Sequence, residues 1–262
     1  MYSTMTPRQS SLFTLVQEHI AQIASAKSEK ELIKICSSIS DGLETSYFSH
    51  GMMWADDFHH SKFKIISNYN HEWLEEYDNR GYYLVDPRAH ACMTSMTPIF
   101  WNTEKPYLDK LEKDAKRMME NAHEHKVCSG VSAPIFSFQD AKGAFSLGLS
   151  SHGSLSEQEK HLELISPFVN YLGVFVHQAM MKFLKLEKSN ATILLSEREK
   201  DCLCWAADGK TANEIASLLY LSESTVKYHF RHAMQKLGAK NTSQALSIAI
   251  LKGYIHPKLS NK

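Results

Sequence analysis

The sequence has few or none of the features that mark several large classes of protein. Its 262 residues include five cysteines, an odd and scattered set that fits reduced thiols better than a disulfide framework. No uninterrupted apolar run approaches the roughly 18 residues of a membrane-spanning helix. Phosphate-binding glycine loops, Gly-x-Ser-x-Gly elbows and zinc signatures are also missing. We therefore expect neither a membrane protein nor an enzyme, and neither a cofactor nor a metal ion.

The composition is that of an ordinary folded protein. Hydrophobic residues make up 43% of the chain and charged residues 22%, which argues against a disordered or fibrous protein. A length of 262 residues suits two domains better than one. The stretch from Met1 to Ser10 is polar and carries no secretory or transit pattern, so we expect a cytoplasmic protein.

The formal net charge of zero hides an uneven distribution of charge along the chain. From Asn190 onward there are ten Lys and Arg residues against six Asp and Glu residues, whereas the preceding part has 19 against 23. A basic small piece joined to an acidic large piece is expected when only the small piece approaches phosphate groups. The C-terminal piece is therefore the candidate for nucleic-acid binding.

Apolar periodicity predicts helices and short strands in the N-terminal part. The predicted helices are Ser11–Ala24, a second that begins at the Ser28 and Glu31 capping signature, His71–Asn79, one opened by Asp86-Pro87, Lys105–His125 and Ser156–Glu187, the last kinked or split at Pro167. The predicted strands are Tyr47–Trp54, Phe63–Tyr69, Val131–Phe138 and Gly143–Ser151. Helices on either side of short strands favour an α+β fold, an N-terminal α-β-α sandwich with a central antiparallel sheet.

A small all-α helix-turn-helix domain is predicted at the C-terminal end. Four helical patterns with short joints cover Ser196–Asp208, Thr211–Leu219, Ser224–Leu237 and Thr242–Leu251. The second and third are close enough in sequence to form a helix-turn-helix. We accordingly assign residues 1–187 to a sensor domain, 188–194 to a linker and 195–262 to a DNA-binding domain.

The third of these helices would enter the major groove of DNA, which is wide enough to admit a helix and exposes distinct base edges. Its polar and basic side chains, and those near the starts of the two motif helices, can reach phosphates or bases. The candidate DNA-binding residues are Lys210, Ser222, Thr225, Lys227, Tyr228, His229, Arg231 and Lys236. The apolar side chains of the same helix are expected to face inward, namely Val226, Phe230, Met234 and Leu237.

This stretch resembles the LuxR-type helix-turn-helix over about sixty residues. The matching positions include Leu195-Ser196-Glu197-Arg198-Glu199, Asp208-Gly209-Lys210-Thr211 and Leu221-Ser222-Glu223-Ser224-Thr225-Val226-Lys227. The resemblance implies a double-stranded DNA operator with inverted repeats, a homodimer to which the last helix contributes, and RNA polymerase as a partner. Because the same module ends response regulators, it does not identify the input signal.

The middle of the chain offers a set of polar groups suited to a small ligand. Trp73 and Tyr77 lie four residues apart on one face of a predicted helix, and each has a hydrogen to donate. Asp86 adds an acceptor nine residues further on. Such a trio suits a ligand with two carbonyl oxygens and one amide N–H, which is the chemistry of an N-acyl-homoserine lactone.

The spacing of these residues, with Gly130 further on, resembles the autoinducer-binding domain of LuxR-type quorum-sensing receptors. The resemblance implies that Trp73 bonds the lactone carbonyl, Asp86 the amide and Tyr77 the acyl carbonyl. The full set of candidate ligand-binding residues is Tyr69, Trp73, Tyr77, Tyr83, Asp86, Phe100, Trp101 and Ser146. Arg88 is a bulky charge beside the expected pocket, and it could change the choice of ligand.

These residues suggest how a ligand could control DNA binding. An empty pocket is expected to leave Asp86 and Trp73 without hydrogen-bond partners, at roughly 1 to 3 kcal/mol for each unmet group. A ligand would supply the partners and stabilise the folded sensor by mass action. We expect this ordering to permit dimerisation through the Ser156–Glu187 helical region.

Other readings of the sequence remain open. The same fold could sense a small molecule other than a lactone, and a phosphorylation-driven response regulator would share the C-terminal domain. The acidic pair Asp56-Asp57 is interpreted as a turn rather than as a phosphorylation site. Three pairs have the residue types of metal ligands but are not assigned as such. His59-His60 and His123-x-His125 are expected in exposed polar segments, and Cys202-x-Cys204 in a core-forming helix.

Overall fold

A computed structural model describes residues 6–55, 61–137, 141–150, 153–187 and 195–256. The chain divides into two compact units: the described residues of the larger are 6–53, 63–136 and 142–187, and those of the smaller are 195–256 with the short stretches 54–55, 61–62, 137 and 141. The predicted linker, 188–194, and the pairs Asp56-Asp57 and His59-His60 lie outside the described residues. The proposed domain boundaries therefore stay a prediction.

The larger unit combines seven α-helices and five strands among its described residues. The helices are α1 Pro7–Ser25, α2 Glu29–Gly42, α3 His71–Asn79, α4 Pro87–Thr94, α5 Lys105–Leu108, α6 Lys113–Glu124 and α7 Leu155–Glu187. The strands are β1 Tyr47–Ala55, β2 Ser61–Ser67, β3 Ile99–Asn102, β4 Ser129–Phe136 and β5 Lys142–Leu149. Helices α7 and α4 both pack on β4 and β5, and α1 packs on α7.

The five strands form one sheet in the order β2-β1-β5-β4-β3. The registered pairs of the sheet are antiparallel, with Ser49 opposite Ser146 and Trp101 opposite Gly130. Because successive side chains on a strand point to opposite faces, the sheet has two distinct sides. Phe145 faces α7, where it lies beside Gly173, whereas Ser146 faces the side that carries Trp101. The predicted α+β sandwich with an antiparallel sheet is confirmed.

Four details of the larger unit differ from the sequence predictions. Strand β3 was not predicted at all, and the single helix expected over Lys105–His125 is divided into α5 and α6. Neither glycine nor proline marks that division, because residues 109–112 contain only Asp, Lys, Leu and Glu. Pro167 does not split α7, which runs as one helix. Ser28 caps α2, but the Glu31 side chain bonds the backbone N–H of Lys27 rather than completing the capping box.

Helix α7 is the only helix among the described residues that is long and apolar enough, by length and composition, to cross a membrane. Half of the qualifying window is buried inside the protein. Its buried residues pack on β4 and β5, so α7 serves as a core helix of the sandwich.

The smaller unit contains the four predicted helices, α8 Glu197–Ala207, α9 Ala212–Leu219, α10 Glu223–Leu237 and α11 Thr242–Leu251. Reciprocal capping boxes begin α8 and α9, through Ser196 with Glu199 and Thr211 with Glu214. Helix α10 packs on α8, α9 and α11. Capping boxes satisfy backbone N–H groups that a helix start otherwise leaves unpaired, so the local sequence specifies where these helices begin.

A pair of histidines is buried between the sheet and α7. His50 of β1 and His177 of α7 are 0% and 3% exposed, and Nδ1 of His177 lies 3.3 Å from Nε2 of His50. Burial lowers the pKa of His50 to about 3, with a further contribution from His177, and burial lowers the pKa of His177 to about 4. Both rings are therefore neutral in the folded protein near neutral pH.

Acidification should destabilise the larger unit through this pair. Because the folded-state pKa values lie below the ordinary value of 6.5, the unfolded chain binds protons first as the pH falls. The free energy of unfolding should drop by about 2 kcal/mol for each histidine between about pH 7 and about pH 5. Urea unfolding at both pH values measures the drop. The double variant His50→Phe with His177→Leu should lose most of it, whereas His71→Gln, at an exposed site, should retain it.

Candidate ligand site and DNA interface

The candidate ligand site is a cluster of buried aromatic side chains on one side of the sheet. Trp73 and Tyr77 of α3 share a helix face, and their ring centroids are 5.7 Å apart. The cluster also contains Tyr69, Tyr82 and Trp101, together with apolar side chains of the α5–α6 region, Leu108, Met118, Met119 and Ala122. Each of the five aromatic residues is less than 10% exposed, so polar atoms in this cluster are largely removed from water.

Asp86 is placed in this cluster by the local sequence. The proline that follows favours an extended conformation at Asp86, which is the N-cap of α4 with φ −64° and ψ 111°. Its carboxylate is 4% exposed and accepts hydrogen bonds from the backbone N–H of Arg88 at 2.8 Å and from the Tyr77 hydroxyl at 3.0 Å. Asp86 thus joins α3 to α4 and also caps a helix.

Arg88 provides most of the remaining partners of Asp86. Its Nε lies 2.9 Å from Oδ1, and its Nη2 lies 2.7 Å from Oδ2. Burial raises the pKa of Asp86, but the Arg88 charge and its hydrogen bonds outweigh burial and hold that pKa below its usual value. The pair is therefore ionised and neutral overall.

These contacts correct the expectation that Asp86 lacks partners when no ligand is bound. Both of its oxygens accept hydrogen bonds from the protein itself. Trp73 differs, because its indole N–H has no hydrogen-bond partner within the described part of the chain, although the residue is only 1% exposed. The expected lack of partners is therefore wrong for Asp86, and at Trp73 it holds only in that no described protein group accepts from the indole N–H, which is not among the fully buried unpaired atoms.

Trp101 connects the ion pair to the sheet. The Arg88 guanidinium lies over the Trp101 ring, 4.9 Å from its centroid, as in a cation–π contact. The indole N–H of Trp101 donates to the Ser132 hydroxyl at 3.0 Å, and Ser132 lies 2.7 Å from Ser146. The strands therefore fix the ring on which the guanidinium rests.

Most of the candidate ligand-binding residues lie together. Tyr69, Trp73, Tyr77, Asp86 and Trp101 form the centre of the site, and Ser146 reaches it through Ser132. Tyr83 packs at the margin of the cluster and stacks on Phe63, with ring centroids 5.1 Å apart.

Phe100 does not belong to the cluster, so the structure contradicts its assignment to the ligand site. It precedes Trp101 on β3 and pairs with Val131, so its side chain points to the opposite face of the sheet, where it is 46% exposed. There it lines a cleft of about 380 Å³ between β3, β4 and the first turns of α7, with Leu155 and Leu162.

Three contributors to the site were not predicted from the sequence. Tyr82 lies in the cluster and receives a hydrogen bond from Asn121 at 2.6 Å, and Ser132 holds Trp101. His125, expected in an exposed segment, is largely buried, bonds Glu76 at 3.1 Å and packs its ring 5.3 Å from that of Trp73. The helical spacing of Trp73 and Glu76 on α3 gave no sign of His125, because that contact comes from a distant segment.

Gly130 leaves the space in which the Trp101 ring lies. A Cβ atom at this position would clash with that ring and lie 2.5 Å from the carbonyl oxygen of Leu147. Gly148, its partner across the β4–β5 ladder, would bring a Cβ no closer than 3.4 Å to its nearest neighbour.

Gly130→Ala should therefore lower the stability of the larger unit, whereas Gly148→Ala is the matched control. We expect a loss of about 2 kcal/mol for Gly130→Ala, because overpacking forces the ring or the strand to move. Urea unfolding monitored by tryptophan fluorescence measures the difference. Equal stabilities for the two variants would contradict the view that Gly130 is selected by the Trp101 ring.

The candidate DNA interface is the exposed side of α10. Ser222 caps the helix and accepts a hydrogen bond from the backbone N–H of Thr225 at 3.1 Å. Lys227, Tyr228 and Arg231 are exposed, and Lys227 lies 2.6 Å from Glu223 one turn earlier. The opposite side of the helix is apolar as predicted, with Val226, Phe230, Met234 and Leu237 buried or half-buried.

The remaining candidate DNA contacts differ in their surroundings. Lys210 is exposed, and His229 is half-buried beside Tyr228, with ring centroids 5.7 Å apart. Lys236 bonds the buried carboxylate of Glu199 at 2.8 Å, so its ammonium ties α10 to α8. Burial raises the pKa of Glu199, but the hydrogen bond from Lys236 and those from Ser196 hold it below its usual value.

Together, the aromatic site with a buried ion pair and the helix-turn-helix with a basic exposed helix define a ligand-sensing, DNA-binding regulator. Family models match the chain in two places, an autoinducer binding domain over residues 28–180 and the luxR family of bacterial regulatory proteins over residues 194–249. The first match covers the region in which a response regulator would carry its phosphorylated domain, so that alternative is wrong.

Individual relatives agree with these matches. The chain is 32% identical over 252 residues to the transcriptional activator protein VanR of Vibrio anguillarum, covering 95% of this chain and 99% of VanR. A crystal structure of Escherichia coli SdiA has a TM-score of 0.69 at 24% identity and covers 92% of this chain and 98% of SdiA. SdiA in complex with octanoyl-rac-glycerol has a TM-score of 0.71 at 23% identity, covering 98% and 100%. The chain belongs to the LuxR family of autoinducer-binding transcriptional regulators, which act in quorum sensing and are not enzymes.

Proposed function

We propose that this protein is a cytoplasmic regulator that binds an N-acyl-homoserine lactone in its aromatic site and an inverted-repeat operator through α10. The observation that carries the proposal is the convergence of Trp73, Tyr77 and Asp86 inside one buried cluster. Trp73 has a free N–H to donate to the lactone carbonyl. The Tyr77 hydroxyl donates to the acyl carbonyl once it has turned away from Asp86, and Asp86 then accepts a hydrogen bond from the ligand amide. Tyr69 and Trp101 form walls of the head-group site, and Tyr83 and Ser146 border it.

Exchange of one hydrogen bond for another is the central step of this binding mode. The Tyr77 hydroxyl lies 3.0 Å from Oδ2 of Asp86, where it occupies the place that the amide N–H would take. Rotation of the hydroxyl toward the acyl carbonyl would free that oxygen without leaving a polar group unpaired. The acyl chain then adds apolar burial, which is the larger source of affinity for a ligand of this kind.

Replacement of Trp73 tests the head-group assignment. Trp73→Phe should lower lactone affinity by about 10- to 100-fold, because one hydrogen bond to a buried carbonyl oxygen is lost. Thermal shift and fluorescence titration with a lactone series of graded chain length provide the measurement. Tyr47→Phe is the control, since Tyr47 packs at the margin of the same cluster. Unchanged lactone affinity in Trp73→Phe would remove Trp73 from the site.

Asp86→Asn is expected to weaken the lactone response, and two causes must be separated. The substitution removes the acceptor for the amide and leaves the buried Arg88 charge without its partner. Breaking one side of a buried ion pair destabilises a protein by about 3 to 5 kcal/mol. The free energy of unfolding of this variant therefore has to be measured together with its ligand affinity.

We infer that two copies of the chain bind one operator. The ordered sensor would dimerise through the region of α7, and α11 would add contacts between the two DNA-binding domains. Two α10 helices would then read half-sites about 34 Å apart along the DNA. RNA polymerase is the expected partner of the bound dimer.

The basic residues of α10 should supply a salt-dependent part of operator affinity. Lys227→Ala should weaken operator binding and reduce the salt slope by about one, because one phosphate contact is lost. Glu223→Gln should strengthen binding, since it frees Lys227 from the ion pair at 2.6 Å. Lys200→Ala is the control, because Lys200 forms a similar surface pair with Glu197 on α8. Fluorescence anisotropy at several salt concentrations measures all four proteins, and equal slopes for Lys227→Ala and wild type would reject the contact.

A second candidate ligand is an acyl compound that is not a lactone. The structure of SdiA in complex with octanoyl-rac-glycerol concerns a protein with the same fold and an acyl ester as ligand. The buried Arg88 favours this candidate, because its guanidinium already pairs with the Asp86 carboxylate that a lactone's amide N–H would use, and a monoacylglycerol has no amide. The thermal-shift series should therefore include monoacylglycerols with the same acyl chains as the lactones.

A further inference from the structure

The hydrogen-bonding capacity of Asp86 is filled by the protein itself. A carboxylate offers about four lone-pair sites. Oδ1 accepts from the backbone N–H and from Nε of Arg88, and Oδ2 accepts from the Tyr77 hydroxyl and from Nη2 of Arg88. A ligand amide can therefore reach Asp86 only by replacing one of these donors.

Two N–H groups at this site have no described protein acceptor. Nη1 of Arg88 has no acceptor among the residues that the structure describes, and the same is true of the indole N–H of Trp73. The Arg88 side chain is 10% exposed and is held between Asp86 and the Trp101 ring. The site therefore presents hydrogens to a ligand and offers it no vacant acceptor on Asp86.

We propose that Arg88 is a specificity-determining residue that makes this site select ligands by their oxygen acceptors rather than by an amide N–H. The ligand class is acyl compounds whose head group carries carbonyl or ester oxygens, with or without an amide. This inference rests on the proposed function, because it concerns the same ligand site.

The preference for oxygen acceptors follows from what each ligand group replaces when it binds: an amide N–H must displace a donor from Asp86, whereas a ligand oxygen displaces no protein acceptor. An unpaired buried carboxylate would gain a charge-assisted hydrogen bond from a ligand amide, and such bonds are strong. With Arg88 in place the amide can only substitute for the Tyr77 hydroxyl, so one donor replaces another and little affinity is gained. Oxygen acceptors gain more, since the N–H groups of Trp73 and of Nη1 of Arg88 have no described protein acceptor that a ligand oxygen would have to displace.

Ligand pairs that differ only in the amide test this proposal. Each N-acyl-homoserine lactone is compared with the α-acyloxy-γ-butyrolactone of the same acyl chain, in which an ester oxygen replaces the amide N–H. For the full-length wild-type protein, the dissociation constants of the two members should agree within about threefold. Fluorescence titration and thermal shift over a series of acyl lengths give the ratio.

Arg88→Met should restore a preference for the amide. Methionine keeps an unbranched side chain over Trp101 but brings no donor to Asp86, so the amide should bind at least about tenfold more tightly than the ester. Arg80→Met is the matched control, because Arg80 forms an ion pair with Glu76 at the surface end of α3. Its ratio should equal that of the wild type. A purely structural role of Arg88 would change stability in Arg88→Met without changing the ratio.

Two results would overturn the role of Arg88 alone, and a third would also overturn the lactone ligand. A wild-type preference for the amide of about tenfold or more would overturn the proposal by itself, and this measurement does not depend on whether Arg88→Met folds. An unchanged ratio in a folded Arg88→Met would overturn it as well. If neither member of any pair binds the wild type or Arg88→Met, the lactone ligand of the proposed function fails and the role of Arg88 fails with it.

Discussion

The ion pair between Asp86 and Arg88 is the constraint on which the sensor site depends. An ionised carboxylate in a buried aromatic cluster is tolerated only when paired and hydrogen-bonded. Arg88 and Tyr77 meet this requirement, and the Trp101 ring supports the guanidinium from the sheet. Three separate segments are thereby joined at one neutral polar centre. The geometry of any ligand must be compatible with that centre or displace part of it.

The antiparallel sheet decides which side chains can reach this centre. Alternation along β3 sends Trp101 to the ligand side and Phe100 to the α7 side, and the same rule separates Ser146 from Phe145 on β5. Gly130 completes the arrangement by leaving room for the Trp101 ring. The α7 side of the sheet is occupied by helix packing and by the neutral histidine pair, so this packing and the candidate ligand site lie on opposite faces.

Local signals in the sequence were sufficient for much of the fold and for part of the site. Helical spacing placed Trp73 and Tyr77 on one face, and the Asp-Pro step placed Asp86 before a helix. The position of Phe100 could not be obtained in this way, because β3 is only four residues long and was not recognised as a strand.

The partners of Asp86 were equally out of reach of sequence patterns. Arg88 follows Asp86 by two residues, yet whether a long side chain turns back or points outward depends on the tertiary packing around it. The Trp101 ring on which Arg88 rests comes from another segment, and its position is fixed by pairing between β3 and β4. Because the ion pair is self-contained, the sensor has no unmet charge for a ligand to neutralise. Under the proposed function, the free energy that couples ligand binding to dimerisation then comes from burial of the acyl chain and from the N–H groups of Trp73 and Arg88 that have no described protein acceptor.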